Sequence, residues 1–146
     1  MLNKGLFTSN TDMWATPQWL FDELHKEFNF TFDVCAVTEN AKCGSFYSPA
    51  QNGLMQDWKG RCFMNPPYGR IIYDWVKKAY DESLTGCLVV GLLPARTDTK
   101  WFHEFIYGKA EIRFIKGRLK FNEAESNAPF PSMIVIWGNK AAENIA

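Results

Sequence analysis

The chain has 146 residues, 47% hydrophobic and 16% aromatic, which predicts one well-packed domain over residues 1–146 with no linker. Its 16 basic and 16 acidic residues cancel, excluding a protein that grips nucleic acid through overall charge and leaving only local contacts. The longest apolar run, Cys87 to Leu93, is too short to span a membrane, and the opening Met1 to Phe7 lacks the apolar core of a secretory signal, so a cytoplasmic protein is expected.

In chain order, Thr16-Pro17 reads as an N-cap followed by proline at the first helical position, with Leu20, Leu24 and Phe28 recurring every fourth residue in a helix to about Glu27. Phe28, Phe30, Phe32 and Val34 then alternate at period two, predicting a strand that delivers Asp33 to Ala36 to a sheet edge. Between Val37 and Lys59 the signals are weak, with a short strand at Ser45-Phe46-Tyr47 and a turn at Asn52-Gly53. Cys35, Cys43, Cys62 and Cys87 form no CxxC pair and are expected to be reduced, mostly buried thiols; with only two histidines in the chain, no metal site is expected.

Cys62-Phe63-Met64 has the composition of a buried strand that breaks into Asn65-Pro66-Pro67-Tyr68. Two prolines cannot continue a ladder, so the chain must leave the sheet there. A helix bearing Ile71, Ile72, Trp75, Val76, Ala79 and Tyr80 on one face follows, and Cys87 to Leu93 reads as a central parallel strand, completing a βαβ unit. Trp101, Phe102, Phe105 and Ile106 suggest a short helix. Glu111 to Ile115 and Arg118 to Phe121 would form a hairpin about Lys116-Gly117, and Ser132 to Trp137 a last strand. The expected class is α/β, a mostly parallel sheet with an antiparallel hairpin at one edge and few helices.

The carboxyl end of a strand in such a sheet is where ligands bind. The residues delivered there suit methylation of a planar, conjugated NH2 group such as the amino group of adenine, whose lone pair is delocalised. The Asn65 side-chain carbonyl and the Pro66 backbone carbonyl could each accept one amino hydrogen, freeing the lone pair for attack on an electrophilic methyl group while Tyr68 stacks on the base.

Leu93-Pro94-Ala95-Arg96-Thr97-Asp98-Thr99 emerges at the same edge. Arg96 suits a phosphate or carboxylate contact or a surface salt bridge; Thr97 and Asp98 either cap the next helix or face substrate. Lys109, Arg113, Lys116, Arg118 and Lys120 would form a cationic ribbon on the hairpin, serving DNA or defending the sheet edge, with Arg70 and Arg96 as further phosphate contacts. Phe121 and Phe114 interleave with these charges and fit base stacking or core packing equally. Asp33 and Asp57 are the acids placed to reach a nucleoside cofactor, and Trp14, Trp19 and Trp58 could stack on an adenine ring or a sulfonium or belong to the core.

Trp14-Ala15-Thr16-Pro17, Phe32-Asp33-Val34-Cys35-Ala36, Gln56-Asp57-Trp58, Asn65-Pro66-Pro67-Tyr68-Gly69-Arg70, Pro94 to Phe102 and Gly117-Arg118-Leu119-Lys120-Phe121 together resemble the phage-type, Dam-like DNA N-6-adenine methyltransferases, over most of the chain. The resemblance implies a Rossmann-like fold, S-adenosylmethionine as cofactor, DNA as partner and, for a phage-encoded protein, the host cytoplasm. It also implies roles: Thr16 and Pro17 at the methionine part of the cofactor; Asp33 and Ala36 at the cofactor-binding strand end; Asp57 at its adenine. Asn65, Pro66, Pro67 and Tyr68 would be the catalytic loop, with Arg96 and Arg118 facing DNA; Trp14 and Asn65 are further candidates for cofactor binding, and Arg70, Thr97, Asp98 and Phe121 for substrate binding. The chain departs from the wider superfamily in lacking a Gly-x-Gly run after the first strand, and it has no room for a separate target-recognition domain. Rival readings are a methyltransferase acting on RNA adenine or a protein glutamine amide, and a non-catalytic binding module of the same fold.

Overall fold

The computed structural model describes residues 14–37, 39–121 and 127–138. The opening Met1 to Phe7, read above for a signal, lies outside them. Helix α1 (Gln18–Phe28) buries Leu20, Phe21, Leu24 and Phe28, the face set by its apolar spacing. Pro17, not Thr16, is its N-cap residue, and no side chain caps it; the Thr16 hydroxyl is engaged elsewhere.

The chain leaves α1 through Asn29, in the left-handed region at φ 52°, and the Phe30 N–H donates to His25 Nδ1 at 3.0 Å. This corrects the strand expected from Phe28: period-two alternation began inside the helix, where Phe28 belongs to the 3.6-residue stripe. Strand β1 is only Phe32–Asp33. Asp33 also bridges Phe46 on its outer side, so the weak Ser45-Phe46-Tyr47 signal marks a single β-bridge.

Strands β2 (Arg61–Met64) and β3 (Leu88–Pro94) flank helix α2 (Ile72–Leu84), which buries Ile72, Trp75, Val76 and Ala79. Ile71 precedes that helix and is exposed. The short helix α3 (Lys100–Phe105) is capped by Thr99, whose hydroxyl accepts from the Phe102 N–H at 3.3 Å, so neither Thr97 nor Asp98 is its cap. Strands β4 (Glu111–Phe114) and β5 (Ser132–Trp137) complete a sheet ordered β1-β2-β3-β5-β4.

β1, β2 and β3 are parallel, and β5 is antiparallel to both β3 and β4. The architecture is therefore mixed α/β, parallel on one side and antiparallel on the other. β3 is central and buried but has one antiparallel neighbour. The hairpin about Lys116-Gly117 is corrected: β4 pairs with β5 from Glu111↔Ile136 to Phe114↔Met133, and Arg118 to Phe121 form no strand. Six consecutive buried residues in β5 outcompete the half-polar 118–121 segment for the place beside β4.

The core is closely packed at Gly91 of β3. A Cβ on Gly91 would lie 3.1 Å from the Met64 methyl and 3.3 Å from the Trp137 ring, so glycine lets these two side chains fill the layer. Phe21 of α1 packs edge-on against Phe63 of β2 at 5.2 Å. All four cysteines are free thiols; Cys62 and Cys87 are buried, and Cys35 and Cys43 half-buried. No helix among the described residues is long and apolar enough to cross a membrane.

Candidate active site

The three parallel strands end on one edge, and their register sets the site. Asp33 pairs with Phe63 and Met64 with Gly91, so the residues following each strand emerge side by side. Asn65 follows β2 and is held by its amide nitrogen, which donates to the Trp14 carbonyl and, at 2.9 Å, to the Thr16 hydroxyl. Two acceptors facing one end of the amide decide its orientation. The other end, Oδ1, is buried and has no hydrogen-bond partner among the described residues. Burying a carbonyl unpaired costs about 1–3 kcal/mol, a penalty that an incoming N–H donor would relieve.

Pro66 is buried behind Asn65, and Pro67 lines an apolar cavity. Tyr68 is 3% exposed. Its hydroxyl donates to the Leu92 carbonyl at 3.1 Å, and its ring meets Phe130 edge-on at 5.5 Å. Burial pushes the Tyr68 hydroxyl far above the ordinary phenol range, so it stays protonated and is no base.

Asp33 is buried, and its two carboxylate oxygens accept the backbone N–H groups of Cys35, at 3.3 Å, and Lys42, at 3.1 Å. Burial outweighs these bonds and raises its carboxyl to about 6. A raised acid means that the folded state holds the proton longer than the unfolded chain. The penalty for ionising Asp33 is absent below the ordinary carboxyl range and fully present above about pH 6. Burial, reinforced by the neighbouring Asp33, also pushes the Cys35 thiol up to about 12 and that of Cys43 to about 11, so both are protonated.

Asp33, Cys35, Thr16 and Asn65 line one narrow polar crevice with Trp14, Ala15, Asn40 and Phe63. Cys35 also lines an apolar cavity of about 240 Å³ walled by Ala36, Tyr47, Leu54, Pro67, Ile71 and Trp75. Gly53 is required beside it, since a Cβ there would stand 2.2 Å from the Val34 carbonyl and 3.1 Å from the Trp75 ring. Pro17 and Lys42 border a third, open space that shares Thr16 and Asn40 with the crevice.

Trp14, Thr16, Asp33, Ala36 and Asn65 thus come together around linked spaces. Asp57 does not join them: its side chain is exposed and outside the apolar cavity's lining, and its carbonyl accepts the Tyr47 hydroxyl at 2.8 Å. Tyr47, Leu54, Ile71 and Trp75 were missed as cavity residues, three of them because their apolarity reads equally as core; the Asn52-Gly53 turn that folds the loop over them was the available signal.

On the other side of the strand ends, Arg96 is exposed with its guanidinium 5.7 Å over the Phe130 ring. Arg70, Thr97, Asp98 and Arg118 are exposed, the Thr97 carbonyl lying 2.8 Å from a His103 ring nitrogen. Phe121 is buried against Trp14 and Phe130, at 5.5 and 5.9 Å, whereas Phe114 is 63% exposed. The cationic ribbon does not form as a hairpin, and Arg113 is spent on Glu27 through bonds of 2.7 and 2.8 Å and on Glu111 at 2.6 Å. No group of metal-ligating side chains occurs among the described residues.

A family model described as DNA N-6-adenine-methyltransferase (Dam) matches residues 4–145. The chain is similar to the DNA N-6-adenine-methyltransferase of Haemophilus phage HP1, 38% identical over 144 aligned positions that cover 91% of this chain and 82% of that protein. It is also similar to the enzyme of the same name from Escherichia phage T1, 34% identical over 111 positions, 74% of this chain and 46% of a longer relative. With the strand-end Asn-Pro-Pro-Tyr loop at its centre, this chain belongs to the DNA N-6-adenine-methyltransferase family, the adenine-specific DNA methyltransferases.

Proposed function

We propose that the protein transfers a methyl group from S-adenosylmethionine to the exocyclic amino group of an adenine extruded from DNA, within a single Rossmann-like catalytic domain. The observation that carries this reading is the Asn65 amide, locked through its nitrogen to Trp14 and Thr16 with its oxygen buried and unpaired. An acceptor held in that state favours a donor that becomes more acidic during reaction, as an aromatic amino group does when its nitrogen forms a new bond.

The residues present fit the cofactor. The apolar cavity walled by Pro67, Ile71 and Trp75 suits an adenosine, and the open space bordered by Thr16, Pro17 and Asn40, next to the crevice that holds the Asp33 carboxylate, suits the cationic amino-acid end. When bound, S-adenosylmethionine supplies the electrophilic methyl group. Asn65 Oδ1 and the Pro66 carbonyl accept the amino hydrogens, and Tyr68 provides an apolar wall for the base. Incubating the protein with labelled S-adenosylmethionine and, separately, duplex DNA, single-stranded DNA, RNA and protein extract tests the reading; label on adenine N6 of DNA is expected. Label only on RNA or on glutamine would overturn the substrate, and none anywhere would overturn the activity.

Two further results are expected. Cofactor affinity, measured by calorimetry from pH 5 to 8, should rise with pH and level off above about 6, because the cationic end of the cofactor needs Asp33 ionised. A flat profile would remove Asp33 from the cofactor site. In DNA binding, Arg118→Ala should weaken affinity and flatten its salt dependence, whereas Arg113→Ala should change neither, since the Arg113 charge is already committed to Glu27 and Glu111. Equal losses from the two variants would show that the Glu27 pairing opens on DNA.

A further inference from the structure

Two observations show that a base cannot reach Asn65 and Tyr68 as they stand. Asn65 Oδ1 is buried, and so is Tyr68. A flipped adenine therefore cannot enter without something leaving. The group against Tyr68 is Phe130, whose ring also meets Trp14 edge-on at 5.3 Å and Phe121 at 5.9 Å, with the Arg96 guanidinium on its face at 5.7 Å.

Phe130 sits between two backbone anchors. The Ala128 N–H donates to the Leu119 carbonyl at 2.7 Å, and the Pro131 carbonyl accepts from the Ala95 N–H at 2.9 Å. These bonds hold the strap; the ring between them is buried at the margin of the core, where its aromatic and cation–π contacts are of a kind that a base also makes.

We propose that Phe130 is a stand-in for the target base: in the free protein it covers Tyr68, and a flipped adenine must displace it, taking over the aromatic contacts and the Arg96 stack. The assignment rests on the adenine reading above. It makes Phe130 a positioning residue that sets a threshold, since only a base whose stacking and donor contact to Asn65 exceed what Phe130 provides is admitted. Adenine, a purine with an amino group, passes; a thymine without that donor does not.

The test uses the full chain, duplexes in which an adenine opposite thymine or a mismatched base has 2-aminopurine as its neighbour in the strand, and the wild type, Phe130→Leu and Phe130→Ala. Fluorescence of 2-aminopurine rises when the adenine beside it leaves the stack. Leucine keeps apolar volume at the site, so this variant folds where alanine fails, and thermal melting with cofactor calorimetry checks both. Both folded variants, or Phe130→Leu alone if alanine does not fold, should bind the mismatched duplex about three- to tenfold more tightly and give more fluorescence, with the preference for adenine over cytosine in methylation reduced. Weaker binding or lower fluorescence in the variants, with a clear wild-type signal, would make Phe130 a fixed stacking wall and overturn the proposal while leaving the adenine reading intact. No fluorescence change in the wild type on a duplex that it methylates would overturn base capture, and this inference with it.

Discussion

Asn65→Ala is expected to lower turnover by about two to three orders of magnitude, the loss typical of removing one donor or acceptor that acts mainly in the transition state. The structure adds a second consequence. The Asn65 amide nitrogen also ties down Trp14 and Thr16, which line the polar crevice, so cofactor affinity should fall as well, though by far less than turnover. Thr16→Val separates the two effects: it removes one anchor of the amide, leaves Oδ1 in place, and should lower turnover by only about tenfold, the order of one neutral hydrogen bond. Single-turnover kinetics with calorimetry of the cofactor measure both. Near-normal turnover for Asn65→Ala would remove the side-chain carbonyl from the mechanism.

Tyr68 should divide sharply by substitution. Tyr68→Phe loses a buried hydrogen bond to the Leu92 carbonyl, costing about 0.5–1.5 kcal/mol of stability, and keeps the ring, so turnover should change little. Tyr68→Ala removes a buried aromatic between Leu92 and Phe130, a loss on the scale of about 3–5 kcal/mol, together with the wall for the base. Its melting temperature should drop markedly, and turnover measured well below that temperature should be almost abolished. If Tyr68→Ala folded and turned over normally, the base would have to be held by other rings, with Trp14 and Phe121 the nearest in the same cluster.

Local chemistry made parts of this protein readable without coordinates. The break from Cys62-Phe63-Met64 into Asn65-Pro66-Pro67-Tyr68 marks a strand end because proline cannot donate to a ladder, and the structure ends β2 at Met64. The apolar stripes of α1 and α2 and the continuous run of β3 were legible for the same reason: their periods follow directly from backbone geometry. The family was legible too, because its motifs are short runs joined by chemistry at strand ends.

Tertiary structure alone decided the rest, since those features depend on competition between distant segments. β4 chose β5 over Arg118 to Phe121 because β5 offers a fully buried partner, a comparison no local window contains. Thr16 had the residue type and position of a cap, but the Asn65 amide, 49 residues away, claimed its hydroxyl. Arg113 was one of five cations in a run until Glu27, 86 residues distant, neutralised it. The contact at Tyr68 is of the same kind: the sequence supplied the aromatic rings, and only the folding of Phe130 back beside Arg96 and Trp14 brought it edge-on to Tyr68.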